Sequence, residues 1–482
     1  MSVDLLHPRS LAELLRAIPS DVSFVLAGND NTQITGVSLD SRLVDVGNLY
    51  CCIRGEQFDG HLFAQDAVTK GARALLVEEF VIDIPDHIAQ VRVPDVRNVI
   101  GWIAAEMYDQ PSHDLVIIGI TGTNGKTSTA SMVGDILRGL GKSVKVFGTL
   151  TGERTTPEAV DMQARLSRCK TEGVTHVVME VSSHALAMGR VYGTHFDVVA
   201  FTNLGHDHLD FHKTQEDYFA AKASLFRAVY ADRGVVNIDD PHGLMIFDTT
   251  EIPCVSFSTH DVQEATVSAR TTAFRWNGVM IQAPIGGGFT VMNLLTAVIT
   301  VQSLGYSPSD IARACKDIQP IRGRFELVTG AIDFDVVVDY AHTPEGLEEV
   351  LKTARVLTQD QLIVVFGCGG NRDRDKRPVM GHIASDIADF VFVTSDNPRD
   401  EDPQGIIDEV CAGATSGRAR VTAVIDRRDA IQAAITHAHA GDIVVIAGKG
   451  HETSQEIAGI HTPFDDVRVA EDVLRQLAGD KQ

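Results

Sequence analysis

The residues Gly122-Thr123-Asn124-Gly125-Lys126-Thr127-Ser128 carry the clearest chemistry in the chain. An apolar run at 115–120, which reads as a buried strand, precedes them, and Ala130, Val133, Leu137 and Leu140 follow at helical spacing. A glycine-rich turn between strand and helix presents backbone N–H groups to phosphate oxygens at the helix start. Lys126 would reach the terminal phosphates, and the Thr127 hydroxyl would reach a Mg²⁺ ion. Five residues separate Gly119 from Gly125, with Gly122 between them, whereas the common phosphate loop has about four. The expectation is an ATP-binding loop in an unusual spelling.

Two polar clusters close later strand-like runs. Glu180, Ser182, Ser183 and His184 end the run at 176–181, and Asn203, His206, Asp207, His208, Asp210 and His212 lie at and beyond the end of the run at 198–203. The spacing of the three histidines would suit zinc. A phosphate loop in the same region instead favours Mg²⁺, which prefers oxygen ligands. "DNPR" at 396–399 follows another apolar run, where a doubly wound sheet puts its ligands.

These groups need a scaffold of alternating strands and helices. In the region 111–327, strands are expected at 144–147, 176–181, 198–203 and 234–238 with helices between, giving a mostly parallel sheet. The region 328–482 alternates most regularly. Strands fit 335–339, 361–366, 390–394, 421–425 and 442–447, and helices fit 345–357, 379–388, 404–413, 428–439 and 466–477. Residues 1–110 read as a small mixed α/β domain. The fold class is therefore α/β in three domains: 1–110, a central phosphate-loop domain at 111–327, and a Rossmann-like domain at 328–482.

The 482 residues suffice for three such domains, and 44% hydrophobic content supplies their cores. No stretch has the apolar length of a membrane span, and the N-terminus reads as a first helix, not a leader. Neither membrane nor nucleic acid is an expected partner, since the net charge is −23 with no basic block. The seven scattered cysteines read as reduced core thiols of a cytoplasmic protein.

Taken together, "GTNGKTS", "TTPE", "MEVSSHAL", "FTNL", "DHLD", "AAKASLF", "GRFE", "DYAHTP", "FGCGGNRDRDKRP", "DNPR" and "GKGHE", in that order, resemble the Mur ligase family. The resemblance extends to "DSR" and "DGH" near the N-terminus. It implies that ATP phosphorylates the side-chain carboxyl of D-glutamate in UDP-N-acetylmuramoyl-L-alanyl-D-glutamate. A diamino acid, meso-diaminopimelate, would then attack the acyl phosphate. The chain would act as a cytoplasmic monomer on small molecules, with ATP as substrate and two Mg²⁺ ions.

By the same resemblance, Gly122, Thr123, Asn124, Gly125, Lys126, Thr127, Ser128, Asn293, Arg324, Asp339, His342 and Lys376 bind ATP, in a site completed when domains close. Thr127, Glu180, His208 and Lys222, the last as a carbamate, hold the metal. Lys126, Glu180, His208 and Lys222 are the catalytic set. Ser41, Thr155, Thr156, Ser182 and Arg190 contact the UDP-muramoyl dipeptide. Arg372, Asp396, Asn397, Pro398, Arg399, Gly448 and Glu452 hold diaminopimelate. Its extra carboxylate suits an Arg399 fork, and a buried Arg399 left unpaired by lysine would penalise lysine on the order of 2–5 kcal/mol.

Four positions depart from the family pattern: Gly205-His206 before "DHLD", Thr290, Arg322 in the Arg-Gly-Arg turn, and Met188. Ligation of L-lysine or another diamino acid stays open, as does a non-catalytic nucleotide-binding homologue. An oxidoreductase reading lacks G-x-G-x-x-G after a strand, "GCGGNR" being only superficially similar.

Overall fold

The computed structural model describes residues 7–55, 58–152, 154–205, 207–330 and 333–480, with backbone alone at 209, 210, 479 and 480. His206 lies outside the described residues, as does the side chain of Asp210. The chain forms two compact units. One runs to Phe257 and includes Ser303–Gly305; the other comprises Ser258–Gln302 and Tyr306–Gln482.

The first unit opens with a five-stranded sheet in the order Val25–Ala27, Ala89–Arg92, Ala74–Val77, Asn48–Cys51, Gly36–Ser38. Val25–Ala27 is antiparallel to its neighbour, and the other pairs are parallel. Helix Arg97–Met107 buries Val99, Ile100, Ile103 and Met107 in the same core as Leu49, Leu76 and Val91. A second sheet of six parallel strands follows, in the order Cys254–Phe257, Gly234–Asn237, Val198–Phe201, Val116–Thr121, His176–Glu180, Val144–Phe147. Val116–Thr121, the strand that feeds the glycine-rich turn, lies between the two strands whose ends carry the polar clusters. Parallel pairing therefore brings three chemistry-bearing loops to one edge of one sheet.

The second unit holds a three-stranded antiparallel sheet, Gln263–Val267, Thr272–Trp276 and Val279–Ala283. Helix Thr290–Gln302 follows. The main sheet runs Glu326–Val328, Asp335–Asp339, Ile443–Ala447, Leu362–Phe366, Phe390–Val393, Arg420–Ala423, parallel except for its first strand. Period-two alternation splits its side chains. Val337, Val364 and Val445 pack with helices Pro344–Leu357, Lys376–Ile387 and Pro403–Ala414. Val336, Val338, Val365 and Val444 pack with Arg427–His437 and Asp466–Asp480. Both faces are covered, as the continuous apolar strands require.

This order is not the 3-2-1-4-5-6 of a dinucleotide-binding sheet, which counts against an oxidoreductase. Among the described residues no helix is long and apolar enough to cross a membrane.

Candidate active site

Gly122 and Gly125 turn the chain with φ of 146° and 84°. A Cβ on Gly122 would stand 1.9 Å from Thr202 Oγ1, so no larger residue fits. Thr202 Oγ1 donates to Asn124 O at 2.7 Å. Asn203 accepts from both turn amides, Thr123 N at its backbone oxygen and Asn124 N at Oδ1, each at 2.9 Å. The end of one strand thus fixes the loop at the end of the next, and the helix Lys126–Gly139 starts from a set turn. We expect Gly122→Ala to cost about 1–3 kcal/mol of stability and to abolish the rise in melting temperature on adding ATP. Thermal melts with and without nucleotide would show both.

Thr127 Oγ1 donates to Glu180 Oε2 at 2.8 Å, and Glu180 Oε1 accepts from Thr149 N at 2.8 Å. Glu180 is 2% exposed. Thr156 Oγ1 donates to the Glu180 backbone oxygen at 2.9 Å and accepts from Ser182 N at 3.1 Å. Ser182 caps the short helix Ser183–Ala187, its Oγ accepting from Ala185 N at 3.2 Å. The Thr155 hydroxyl lies 3.1 Å from that of Thr149. Arg190 pairs with Glu158 at 3.0 Å, donates to Thr156 O at 3.4 Å, and lies 3.3 Å from the Met188 sulfur. Thr155, Thr156, Ser182 and Arg190 are therefore joined to Glu180 in one polar network.

Two lysines meet at the loop. Lys126 Nζ donates to Gly122 O and Thr123 O, both at 2.8 Å. Lys222 Nζ donates to the same Gly122 O at 2.7 Å and lies 4.6 Å from the Tyr218 ring centre. Lys222 is 1% exposed. Burial first, and the charge of Lys126 second, hold its pKa well below the usual lysine range; Asp207 offsets only part of this. Its amine is thereby shifted toward the neutral, nucleophilic form.

His208 has φ of 56°, and its Nε2 lies 3.4 Å from Asp207 Oδ2. The rings of His208, Phe211 and His212 pack against His184 at 4.6, 4.2 and 5.5 Å between centroids. Among the described residues no three His, Cys, Asp or Glu side chains form a ready-made metal cage. The Thr127 hydroxyl and Glu180 carboxylate are instead hard oxygen donors beside a phosphate loop, a set that fits Mg²⁺.

Ser41 opens a 3-10 turn capped by Asp40, and Lys70 Nζ donates to its backbone oxygen at 3.0 Å. It lines a cavity of about 650 Å³ with Tyr50, Phe58, Phe63, Thr69 and Lys70. Aromatic walls beside a lysine and hydroxyls suit a base and its phosphates.

In the second unit, Asp339 is buried at a strand end and accepts from Phe325 N at 2.7 Å and Ala341 N at 2.8 Å. Burial raises its pKa, with Arg324 opposing. The Arg324 guanidinium covers the Tyr340 ring at 4.7 Å. Lys376 Nζ donates to His342 O at 2.9 Å, while His342 Nδ1 lies 2.8 Å from Tyr340 O. Asn293 is buried near the start of Thr290–Gln302. Thr290 donates to Gly286 O at 2.6 Å, so its hydroxyl serves its own turn. Gly323 has φ of 65° and packs on the His451 backbone, while Arg322 pairs with Asp465 at 2.7 Å.

The "DNPR" segment leaves the strand Phe390–Val393 in the same unit. Asn397 Nδ2 donates to Glu452 Oε2 at 2.9 Å, and Asn397 Oδ1 accepts from Lys449 Nζ at 2.9 Å. Asp396 is 8% exposed; its Oδ2 has no hydrogen-bond partner among the described residues and faces Gly448. A Cβ at Gly448, where φ is 115°, would come within 2.6 Å of that oxygen. Gly370 packs on the Pro398 carbonyl, and Arg372 stands exposed in the facing loop. Arg399 adopts φ of 52° and is 24% exposed at its side chain.

Sequence reasoning missed several residues here. Lys449, fully buried, lies inside "GKGHE", where the resemblance points to Gly448 and Glu452 instead. Thr149 and Tyr218 carry no motif of their own. Glu456 reaches Arg399 only because the hairpin Ser454–Ile457 and Ile460–Pro463 folds back, which nothing in the spacing announces.

Three family models match in order: Mur ligase family, catalytic domain, over 33–108; Mur ligase middle domain over 120–301; and Mur ligase, glutamate ligase domain, over 323–450. The chain is 41% identical to the UDP-N-acetylmuramoyl-L-alanyl-D-glutamate--2,6-diaminopimelate ligase of Syntrophomonas wolfei, over 96% of this chain and 99% of that one. It is 40% identical to the enzyme of the same name from Aquifex aeolicus, over 94% and 95%. A solved structure of a ligase of that name superposes with a TM-score of 0.70 at 32% identity, covering 98% of this chain and all of the other. The MurF ligase from Thermotoga maritima in complex with ADP, at 16% identity and a TM-score of 0.63, shares the fold. From phosphate loop to "GKGHE", this three-domain α/β chain belongs to the Mur ligase family.

Proposed function

We propose that the protein is an ATP-dependent ligase that joins meso-diaminopimelate to the D-glutamate side-chain carboxyl of UDP-N-acetylmuramoyl-L-alanyl-D-glutamate. The observation that carries this reading is the buried Thr127–Glu180 contact of 2.8 Å at the start of the phosphate-loop helix, with Lys222 pressed against the same loop. The names and coverage of the relatives supply the substrates.

In this reading the amides of residues 122–128 hold the ATP phosphates, and Lys126 turns from the loop carbonyls to the transferring group. Asn293, Arg324, Asp339, His342 and Lys376 take the rest of the nucleotide. The Ser41 cavity takes the uridine end of the second substrate, and Thr155, Thr156, Ser182 and Arg190 take its dipeptide. Two Mg²⁺ ions, when bound, supply neutralisation of charge on the phosphoryl oxygens. Thr127, Glu180, His208 and the carbamate of Lys222 would hold them. That carbamate forms when the neutral Nζ bonds to the carbon of CO₂ and releases a proton, turning a cation into an anionic oxygen donor.

The D-glutamate carboxylate accepts the γ-phosphoryl group as ADP leaves, giving an acyl phosphate. The diamino acid's amine, held through Arg372, Asp396, Asn397, Pro398, Arg399, Gly448 and Glu452, adds to the acyl carbon. Inorganic phosphate departs and the amide remains. The work of the chain is mainly positioning and charge stabilisation. We place the enzyme in the cytoplasm, as a monomer, where ATP and UDP-linked precursors are available. ADP release should require the UDP-dipeptide and diaminopimelate together; equal release without the dipeptide would overturn the proposal.

A further inference from the structure

Arg399 is held from behind. Its Nε faces Glu456 Oε2 at 3.2 Å, and its Nη1 donates to Gly370 O at 2.7 Å. Its backbone is clamped by the same hairpin: Arg399 N donates to Glu456 O at 3.1 Å, and Ala458 N donates to Arg399 O at 2.6 Å. A non-glycine residue at φ of 52° persists only where its surroundings over-determine it. Glu456 N also donates to Asn397 Oδ1 at 3.0 Å, so one residue of the hairpin ties both Asn397 and Arg399.

A guanidinium has five N–H donors in a rigid plane. Nη1 donates to Gly370 O, Nε forms an ion-pair contact with Glu456, and Nη2 makes no hydrogen bond among the described residues. The Nη2 hydrogens stay available to a carboxylate, which a guanidinium binds through charge-assisted hydrogen bonds. Glu456 and Gly370 therefore hold the guanidinium at two of its nitrogens and leave Nη2 for a ligand.

We propose that Glu456 is a positioning residue for amino-acid selection: its carboxylate holds Arg399 so that the fork meets the distal carboxylate of the diamino acid. This rests on the reading of Arg399 as the group that binds that carboxylate. The role also follows from charge. Glu456 keeps a quarter-exposed arginine from swinging into solvent on its flexible stem, and it does so at Nε, leaving Nη2 for the substrate.

The test measures steady-state constants with the full-length enzyme, ATP and UDP-dipeptide, for Glu456→Leu and Glu456→Gln, each alone and with Arg399→Ala. Glu456→Leu should raise KM for diaminopimelate by about fivefold, the upper end for losing a partly exposed ion pair. KM for ATP and for the UDP-dipeptide should stay unchanged, as should activity with L-lysine. Glu456→Gln, which keeps the shape and an oxygen facing Nε but not the charge, should recover part of the loss. In the Arg399→Ala background Glu456→Leu should add nothing, because it acts through the missing arginine. A full additional loss in that background would overturn the proposal, as would an unchanged KM in Glu456→Leu beside a raised KM in Arg399→Ala. If Arg399→Ala itself leaves KM for diaminopimelate unchanged, the underlying reading of Arg399 fails and the proposal fails with it.

Discussion

Lys222→Ala is expected to lower ligation by at least on the order of 10²–10³, with the fold intact. Lys222 is enclosed beside the phosphate loop, and its amine is held toward the neutral form by burial and by Lys126. As an ammonium it would place a second positive charge at Gly122 O, where Lys126 already donates. As a carbamate it would add negative oxygen donors to a pocket that otherwise offers Thr127 and Glu180. Truncation would remove that anion and also leave a cavity beside the Tyr218 ring, so rates are compared at a temperature where the variant's melting curve shows it folded. Formate or acetate, small enough for the space left by the side chain, should restore part of the rate to Lys222→Ala and none to Lys126→Ala. Full activity of Lys222→Ala, or loss that tracks unfolding, would contradict the assignment.

Arg399→Ala carries the second large effect, on choice of amine rather than on chemistry. Lysine and diaminopimelate present the same attacking amine and differ at the far end, where only diaminopimelate carries a carboxylate. The sequence alone suggested a bare buried arginine and a correspondingly severe penalty for lysine. Arg399 is instead 24% exposed and paired with Glu456, so lysine does not leave its charge wholly uncompensated. What diaminopimelate would gain in this reading is a charged hydrogen-bond pair, about 1.5–3 kcal/mol or roughly 10- to 150-fold in kcat/KM. Arg399→Ala should remove that advantage, lowering kcat/KM for diaminopimelate while leaving lysine near its starting value. An unchanged ratio would remove Arg399 as the selector.

The regular alternation of apolar runs made the main sheet of the second unit legible. Strands expected at 335–339 and 390–394 are Asp335–Asp339 and Phe390–Val393, and the helix expected at 345–357 is Pro344–Leu357. Strands covered on both faces are continuously apolar, and their helices carry one apolar stripe, so both periods stand out. The antiparallel elements did not. Glu326–Val328 is only three residues long, and Gln263–Val267 and Ile460–Pro463 are almost wholly exposed, so neither shows an apolar run.

The same contrast holds for the site. Glycines at strand ends mark the loop because φ and close approach demand them, as at Gly122 against Thr202. Residues that act by holding others leave no such mark. Glu456 and Lys449 are ordinary charges in sequence and meet Arg399 and Asn397 only in the fold.

The most direct measurement is the mass of the UDP-linked product. The purified protein would be incubated with ATP, Mg²⁺, UDP-N-acetylmuramoyl-L-alanyl-D-glutamate, and equal amounts of meso-diaminopimelate and L-lysine. One dominant new species is expected, heavier than the dipeptide by diaminopimelate less water and formed with one ADP per molecule. A dominant lysine adduct, or ADP release with the dipeptide left unchanged, would contradict the proposed function.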